Sequence, residues 1–392
     1  MKHVAIDQTI MVKDMPAQAG SHIMDGFNSP FDAEVVTRLK GKGIEISQTA
    51  TGEFGLDLVG EFSYGREQQG KLAGEAATLV KEGKADAALA VDMNGSARRA
   101  AVLADIDFIK PTYGTVSRYG VISCAASGEQ VGVYAPDAAA AAEALEMISG
   151  HDDKDGTSLS ADAYSYESDL NVKGYESDLN VKGMRVAIDK GVLEKADDAT
   201  KLKVVEFGKK LQAKGVEVEV ISYDMYEAAN TAWQILMCAE TCNNISRYDG
   251  VKFGHRSDKF RNIDELYINT RTEGFNFLTK AVILYGSDVL SKSRYADCYD
   301  KSLRVRRIVA EGFERLFEKY DAILTPACSS AEFESYDIAD AFEKVFAESE
   351  FTAVANLVGF PAAAGCGVQL MGDRFSESKL LSLLGCQERK GE

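Results

Sequence analysis

The sequence predicts an α/β fold, with a mainly parallel or mixed sheet covered by helices, and three observations carry that expectation. Short β-branched runs alternate with longer helical patterns. Only 6 prolines occur in 392 residues, and no Pro- or Gly-rich linker divides the chain. A hydrophobic share of 45% against 27% charged supplies a large core and excludes a disordered or fibrous chain.

In order along the chain, a helix over Ala33 to Lys40 precedes a strand at Ile44 to Ile46. An amphipathic helix over Leu72 to Lys81 puts Leu72, Ala73, Ala76, Leu79 and Val80 on one side, ahead of a strand at Ala87 to Val91. Gly150 to Thr157 (GHDDKDGT) is a turn-rich acidic loop, read as a solvated connector. It is followed by a tandem nonamer, YESDLNVKG, at Tyr166 to Gly174 and again at Tyr175 to Gly183. Its polar composition suits a surface loop, where added length costs little closure entropy. A strand at Met184 to Ile188, a helix over Thr200 to Lys214 and a strand at Val216 to Ile221 follow. Residues 1–392 are therefore expected to form a single domain with a seam between two halves at 150–183.

Lys and Arg number 44 against 61 Asp and Glu, so the formal charge is 44 − 61 = −17. That charge repels phosphate backbones and anionic membranes, and direct nucleic-acid binding is not expected. The 7 cysteines (Cys124, Cys238, Cys242, Cys298, Cys328, Cys366, Cys386) are odd in number, scattered and mostly set in apolar runs, which reads as reduced core thiols. Cys238 and Cys242 lie one helical turn apart with no His or paired Cys motif nearby, so no metal site is expected, and no cofactor is implied. Met1 to Asp14 has no long apolar segment, and no stretch reaches the roughly 20 apolar residues that cross a bilayer. A cytoplasmic location is the default.

Three stretches, in order across nearly the whole chain, resemble the amidase signature family, and within it the A subunits of tRNA-dependent amidotransferases. They are Ile109 to Gly120 (IKPTYGTVSRYG) running on into VISCAASGEQVG, Asn243 to Gly254 (NNISRYDGVKFG) followed by RTEGFNF, and Asp321 to Pro326 (DAILTP) with Ala355 to Pro361 (ANLVGFP) beyond. The resemblance implies a twisted sheet between helical layers on both faces and amide C–N hydrolysis through an acyl-enzyme. The family uses a serine nucleophile, a second serine at a cis peptide, and a lysine. Neutral lysine takes a proton relayed through the second serine from the first, which turns a weak alcohol into a nucleophile. Backbone N–H groups of a glycine-rich turn hold the oxyanion.

Carried onto this chain, the resemblance places the lysine at Lys13 (MVKDM), the nucleophile at Ser96 (DMNGSAR) and the oxyanion turn at Met93, Asn94 and Gly95. Without it, Lys13 reads as a solvated lysine and Gly95-Ser96 as an ordinary turn. Counted back from Ser96 without a gap, the family's Gly-Gly-Ser-Ser-Gly-Gly-Ser-Ala run falls on Gly70 to Ala77 (GKLAGEAA), so the relay position is Leu72. A leucine offers no hydroxyl, and no serine occurs between Tyr64 and Ser96. A trans bond before Leu72 is expected. Asn94 stands where the family has a glycine. The arginine and aspartate that hold glutamine fall on Val282 and Ser349, and a pocket tyrosine falls on Trp233. A substrate pocket of Trp233, Val282 and Ser349 lacks both charge partners, each worth about 1.5–3 kcal/mol per charged hydrogen bond. The spacing from Lys13 to Leu72 is shorter than the family's, and the helical segment ahead of its lysine strand is absent. None of His3, His22, His151 and His255 stands at nucleophile-elbow or metal-ligand spacing.

Joint loss of the relay and of both substrate charges points to a pseudo-amidase: a binding or scaffolding component for a partner resembling the amidotransferase B subunit, or for a second copy of itself. Contact with tRNA would then run through the partner. The alternative is an active amidase on a small amide other than glutamine, with Lys13 touching Ser96 directly. A third reading, a small-molecule binder lined by Trp233 and Val282, stands against the plainer one in which Trp233 fills the core.

Overall fold

The computed structural model describes residues 1–65, 74–160, 181–330, 332 and 334–386. The chain opens with β1 (His3–Asp7), α1 (Glu34–Gly41), β2 (Glu45–Thr49), α2 (Glu75–Lys81), β3 (Ala87–Asp92), α3 (Ser96–Ala104), β4 (Asp107–Lys110), β5 (Gln130–Ala135) and α4 (Ala138–Ile148). Its second half starts with β6 (Arg185–Asp189), α5 (Lys190–Glu194), α6 (Asp198–Ala213) and β7 (Glu217–Ile221). Then come α7 (Tyr226–Asn244), α8 (Ile263–Gly274), α9 (Phe277–Val289) and α10 (Lys301–Phe317). The chain continues through β8 (Ala322–Thr325), α11 (Ala341–Ser349), α12 (Ala353–Val358), β9 (Ala362–Gly365), β10 (Val368–Met371) and α13 (Glu377–Leu384).

Local chemistry explains the regular elements. In α1, Val35, Val36 and Leu39 form the buried stripe, with Glu34 in the first turn and Arg38 and Lys40 in the last, matching the helix dipole. Asp197 caps α6 by accepting the Thr200 N–H at 2.7 Å, and Val204, Phe207 and Leu211 turn inward at helical spacing. β3 is buried along nearly its whole length, which is the pattern of a strand covered on both faces.

The ten strands form one sheet in the order β2-β1-β3-β5-β4-β9-β10-β8-β6-β7. Its two ends are parallel (β2, β1 and β3; β8, β6 and β7), and each half begins with the same strand–helix–strand unit. The halves meet where β4 runs antiparallel to β9, Phe108 opposite Ala364 and Ile109 opposite Ala363. The sheet is therefore mixed, one of the two forms the sequence predicts. The five pairings β3 with β5, β5 with β4, β4 with β9, β9 with β10 and β10 with β8 are antiparallel, because the central strands return on themselves.

Side chains alternate between two cores across the sheet. Val4, Ile6, Ala87 and Leu89 point to the side covered by α1, α4, α6 and α13. Ala5, Ala88 and Ala90 point to the other side, with Ala97 of α3, Trp233 of α7, Leu278 of α9 and Val309 of α10. Among the described residues all seven cysteines are free thiols, and Cys124, Cys238 and Cys328 are buried. The helix expected from Leu72 starts at Glu75, after Gly74. Leu72 itself, the bond before it, and the nonamer copies except Val181 to Gly183 lie outside the described residues.

Candidate functional site

Ser96 is the first residue of α3 and follows β3 by a three-residue turn, Met93-Asn94-Gly95. Gly95 has φ +86, and a Cβ there would run into Thr352, so the turn can close only around glycine. Asn94 is not left-handed. Its buried carboxamide instead holds the turn: Nδ2 donates to Leu56 O at 2.9 Å, and Oδ1 accepts the Ser96 N–H at 2.8 Å. The Asn94 carbonyl accepts from Thr352 Oγ1 at 2.6 Å and from Arg99 Nη2 at 3.0 Å. An N–H that could hold an oxyanion is thus engaged by a neighbouring side chain. Among the described residues the Ser96 hydroxyl makes no hydrogen bond.

The turn is anchored from beneath. Arg98 is fully buried and forks onto Asp92, with Nε at 3.0 Å and Nη2 at 3.1 Å from its two oxygens. Arg98 also donates to Gln369 Oε1 at 2.5 Å, to Thr352 O at 3.0 Å and to Asn356 Oδ1. Burial alone would raise the Asp92 carboxyl, but the Arg98 guanidinium outweighs it and holds the group below its usual range. One network therefore ties β3, α3, α12 and β10 together.

Ser96 faces a cavity of about 30 Å³ that Asp7, Asp57, Gly60, Gly74 and Tyr134 also line. A void of about 10–15 Å³ holds one water, so the space among the described residues is that of one or two waters. Asp7, the last residue of β1, accepts the Thr9 N–H at 2.6 Å and the Thr9 hydroxyl at 2.8 Å. Burial raises its carboxyl above the usual range in spite of those bonds. Asp57 accepts the Gly60 and Phe62 N–H groups at 2.9 and 2.7 Å, and burial followed by the charge of Glu61 pushes it well above that range. The titratable side chains facing Ser96 are acids and a tyrosine; among the described residues no lysine lines the cavity.

Lys13, expected to be the strand-end lysine beside Ser96, is not at a strand end. β1 stops at Asp7, and the chain then crosses to the 120–122 segment, Met11 N–H donating to Gly120 O at 2.9 Å. Lys13 is exposed in the following turn, its N–H donating to Asp32 Oδ1 at 2.8 Å. The strand-end residue of the cavity is Asp7, which a match to the Lys-Asp dipeptide passes over. The β-branched run Val4 to Ile6, ending in Asp7, is the sequence signal that points to it.

Trp233, Val282 and Ser349 lie in α7, α9 and α11, exposed by 1%, 1% and 0%, and none lines the Ser96 cavity. They are packed interior: Trp233 lies against Gly128, and Ser349 Oγ donates to Val345 O of its own helix at 2.7 Å. Among the described residues no three of His, Cys, Asp and Glu converge as a metal centre would require, and no helix is long and apolar enough to cross a membrane.

A mixed α/β sheet thus presents Ser96 at a helix N-terminus through a strand–glycine turn. The family model described as Amidase matches residues 72–381, and the chain belongs to that family. It is 35% identical over 409 residues to the A subunit of the glutamyl-tRNA(Gln) amidotransferase of Lachnoclostridium phytofermentans, covering 96% of this chain and 81% of that protein. Its counterpart in Halothermothrix orenii is 33% identical over 400 residues, covering 96% and 82%. Among solved structures, the crystal structure of the Thermotoga maritima counterpart superposes with a TM-score of 0.76 at 26% identity, over 97% of this chain and 81% of that one.

Proposed function

We propose that this chain is an amidase-family protein whose Ser96 centre does not hydrolyse amides and which acts by binding a partner in a larger assembly. The observation that carries the reading is the hydrogen bond from the Ser96 N–H to Asn94 Oδ1 at 2.8 Å. It removes a donor from the place where an acyl-transfer oxyanion needs one, a loss worth about 10²–10³ in rate in a working enzyme. Asp7 at the end of β1 agrees with it. A carboxyl raised by burial and already bound to Thr9 is no substitute for a neutral amine that must draw a proton off an alcohol. The competing reading, direct chemistry between Lys13 and Ser96, loses its geometric basis with Lys13 exposed in a turn.

Partnership rests on the relatives, which are named as subunits of an amidotransferase. The formal charge of −17 leaves any contact with tRNA to the partner. Two experiments test the proposal. Incubation with a fluorophosphonate probe should leave Ser96 unlabelled; an adduct that disappears in Ser96→Ala would overturn it. Affinity purification from the native cell should return a protein resembling the amidotransferase B subunit, and recovery of the chain alone would remove the partner from the proposal.

A further inference from the structure

Among the described residues, Arg99 is the buried cation beside the Ser96 turn whose charge the turn network leaves without a carboxylate. It lies on α3 one turn beyond Ser96 and is 2% exposed. Nη1 donates to Leu58 O at 2.8 Å, and Nη2 donates to Asn94 O at 3.0 Å and Thr352 Oγ1 at 3.2 Å, all neutral oxygens. Nε is buried and has no partner among the described residues. Its neighbour Arg98, equally buried, has Asp92 in a two-pronged pair. The acid that acts most strongly on Arg99 is Glu348, but both Glu348 oxygens are taken, one by the Ser329 N–H at 3.0 Å and the other by the Ser329 hydroxyl. An ion removed from water without a counter-charge is costly, and an anion brought beside it relieves that cost.

The space for such an anion is present. Arg99 lines a cavity of about 240 Å³ between α3, α11 and the residues Cys328, Ser329, Ser330 and Tyr336. Leu58, Val59, Leu103 and Ala347 give it apolar walls; Glu348 lines it as well, and Glu332, Glu334 and Lys344 line it from exposed positions. An apolar cavity of about 150 Å³ accepts a benzene ring, so this one accommodates a short aliphatic or small aromatic body.

We infer that this cavity is a binding site for a small monocarboxylate, with the carboxylate on the Arg99 guanidinium and the hydrocarbon body against Leu58, Val59 and Leu103. The charges around the cavity set the specificity: a second carboxylate on the ligand would meet Glu332, Glu334 and Glu348 against the single further cation among the described residues, Lys344, so dicarboxylates are disfavoured. The site is separate from the Ser96 cavity and stands whether or not Ser96 reacts.

Calorimetric titration of the full chain at constant ionic strength tests it, with butyrate, the neutral isostere butyramide, and succinate. Butyrate should bind with a Kd of about 1 mM or below. Butyramide and succinate should each bind at least roughly tenfold more weakly, the cost of one charge-assisted hydrogen bond. Arg99→Gln should lose the same factor, and Leu103→Trp, which fills the cavity, should abolish binding. Butyramide binding as well as butyrate, no heat from butyrate at about 10 mM, or undiminished binding in a folded Leu103→Trp would each overturn the inference. Should Arg99→Gln fail to fold, the three ligands on the unsubstituted chain decide it.

Discussion

Glu53 makes a quantitative demand on the pH dependence of stability. It is 3% exposed and clamps three segments: Oε1 accepts from the Ser21 hydroxyl at 2.5 Å, and Oε2 accepts from the Asn276 N–H at 3.0 Å and from the Thr279 hydroxyl. Burial overrides those bonds and raises the carboxyl from 4.5 to about 7. The folded protein can take up the proton without breaking the clamp, because Ser21 Oγ can then accept from Glu53 while passing its own hydrogen to Gly274 O at 3.2 Å. A folded-state pKa above the unfolded one means that the folded chain holds a proton the unfolded chain releases. The stability linked to Glu53 is therefore complete below about pH 4.5, falls as pH rises, and is gone above about pH 7. At about 1.36 kcal/mol per pH unit, the whole change is about 3 kcal/mol.

Glu53→Gln isolates that contribution, since the amide cannot titrate but can still meet Asn276 and Ser21 with one oxygen and one nitrogen. Urea unfolding followed by the fluorescence of Trp233, the single tryptophan, gives the stability difference between the two proteins. Other buried acids, Asp7 and Asp57 among them, tilt both curves alike and cancel in the difference. From about pH 5 to about pH 8 the native protein should lose most of about 3 kcal/mol relative to Glu53→Gln. A difference constant to within about 0.5 kcal/mol across that window would refute the assignment of a raised carboxyl to this clamp.

Four further outcomes follow from the site. Gly95→Ala must accept φ +86 and a contact with Thr352, costing about 3 kcal/mol in urea unfolding. Arg98→Met strands Asp92 in the core without its counter-ion, and loss of about 3–5 kcal/mol is expected by the same measurement. Trp233→Phe should cost within about 1 kcal/mol by circular dichroism, because it also removes an indole N–H that is buried without a partner among the described residues, whereas Trp233→Ala should cost about 3–5 kcal/mol. Leu72→Ser should leave Ser96 unlabelled by a fluorophosphonate probe, since one hydroxyl restores neither the amine missing at the end of β1 nor the N–H engaged by Asn94.

Much of the framework is legible in the sequence because it is written in local pattern. The helix expected at Ala33 to Lys40 and the strands expected near Ala87, Met184 and Val216 fall within a few residues of α1, β3, β6 and β7, where apolar spacing and burial agree. The pairing of the middle strands is not legible, since no local signal in Ile109-Lys110 or Ala362 to Gly365 states that β4 and β9 will run antiparallel. At the site, Ser96 is legible only through the family resemblance, since Gly95-Ser96 alone reads as an ordinary turn, and Lys13 is misplaced when a dipeptide match outweighs the strand that must carry the residue into the cavity. Trp233, Val282 and Ser349 prove to be interior packing because their helices turn them away from the Ser96 cavity, which residue type alone does not reveal. Asp57 and Arg99 have no sequence signature at all: what distinguishes them is burial and the kind of partner each one has, and both are properties of the packed chain.

The polar groups around Ser96 also say something about how such a centre changes. A working acyl-transfer site keeps donors unpaired and groups strained until substrate arrives, and the rest of the fold sustains that cost. Here the same positions satisfy one another: Asn94 takes the Ser96 N–H, Thr9 takes Asp7, and Gly60 and Phe62 take Asp57. The scaffold beneath is fully engaged, with Arg98, Asp92, Asn356 and Gln369 still fixing the strand, turn and helix. On the proposed reading, a site that no longer needs unpaired donors while keeping the network that positions them is what selection for the folded surface, rather than for turnover, would leave. Arg99 is the exception in this neighbourhood, a buried charge bonded only to neutral oxygens where it lines a cavity, which is why the proposed ligand is placed there.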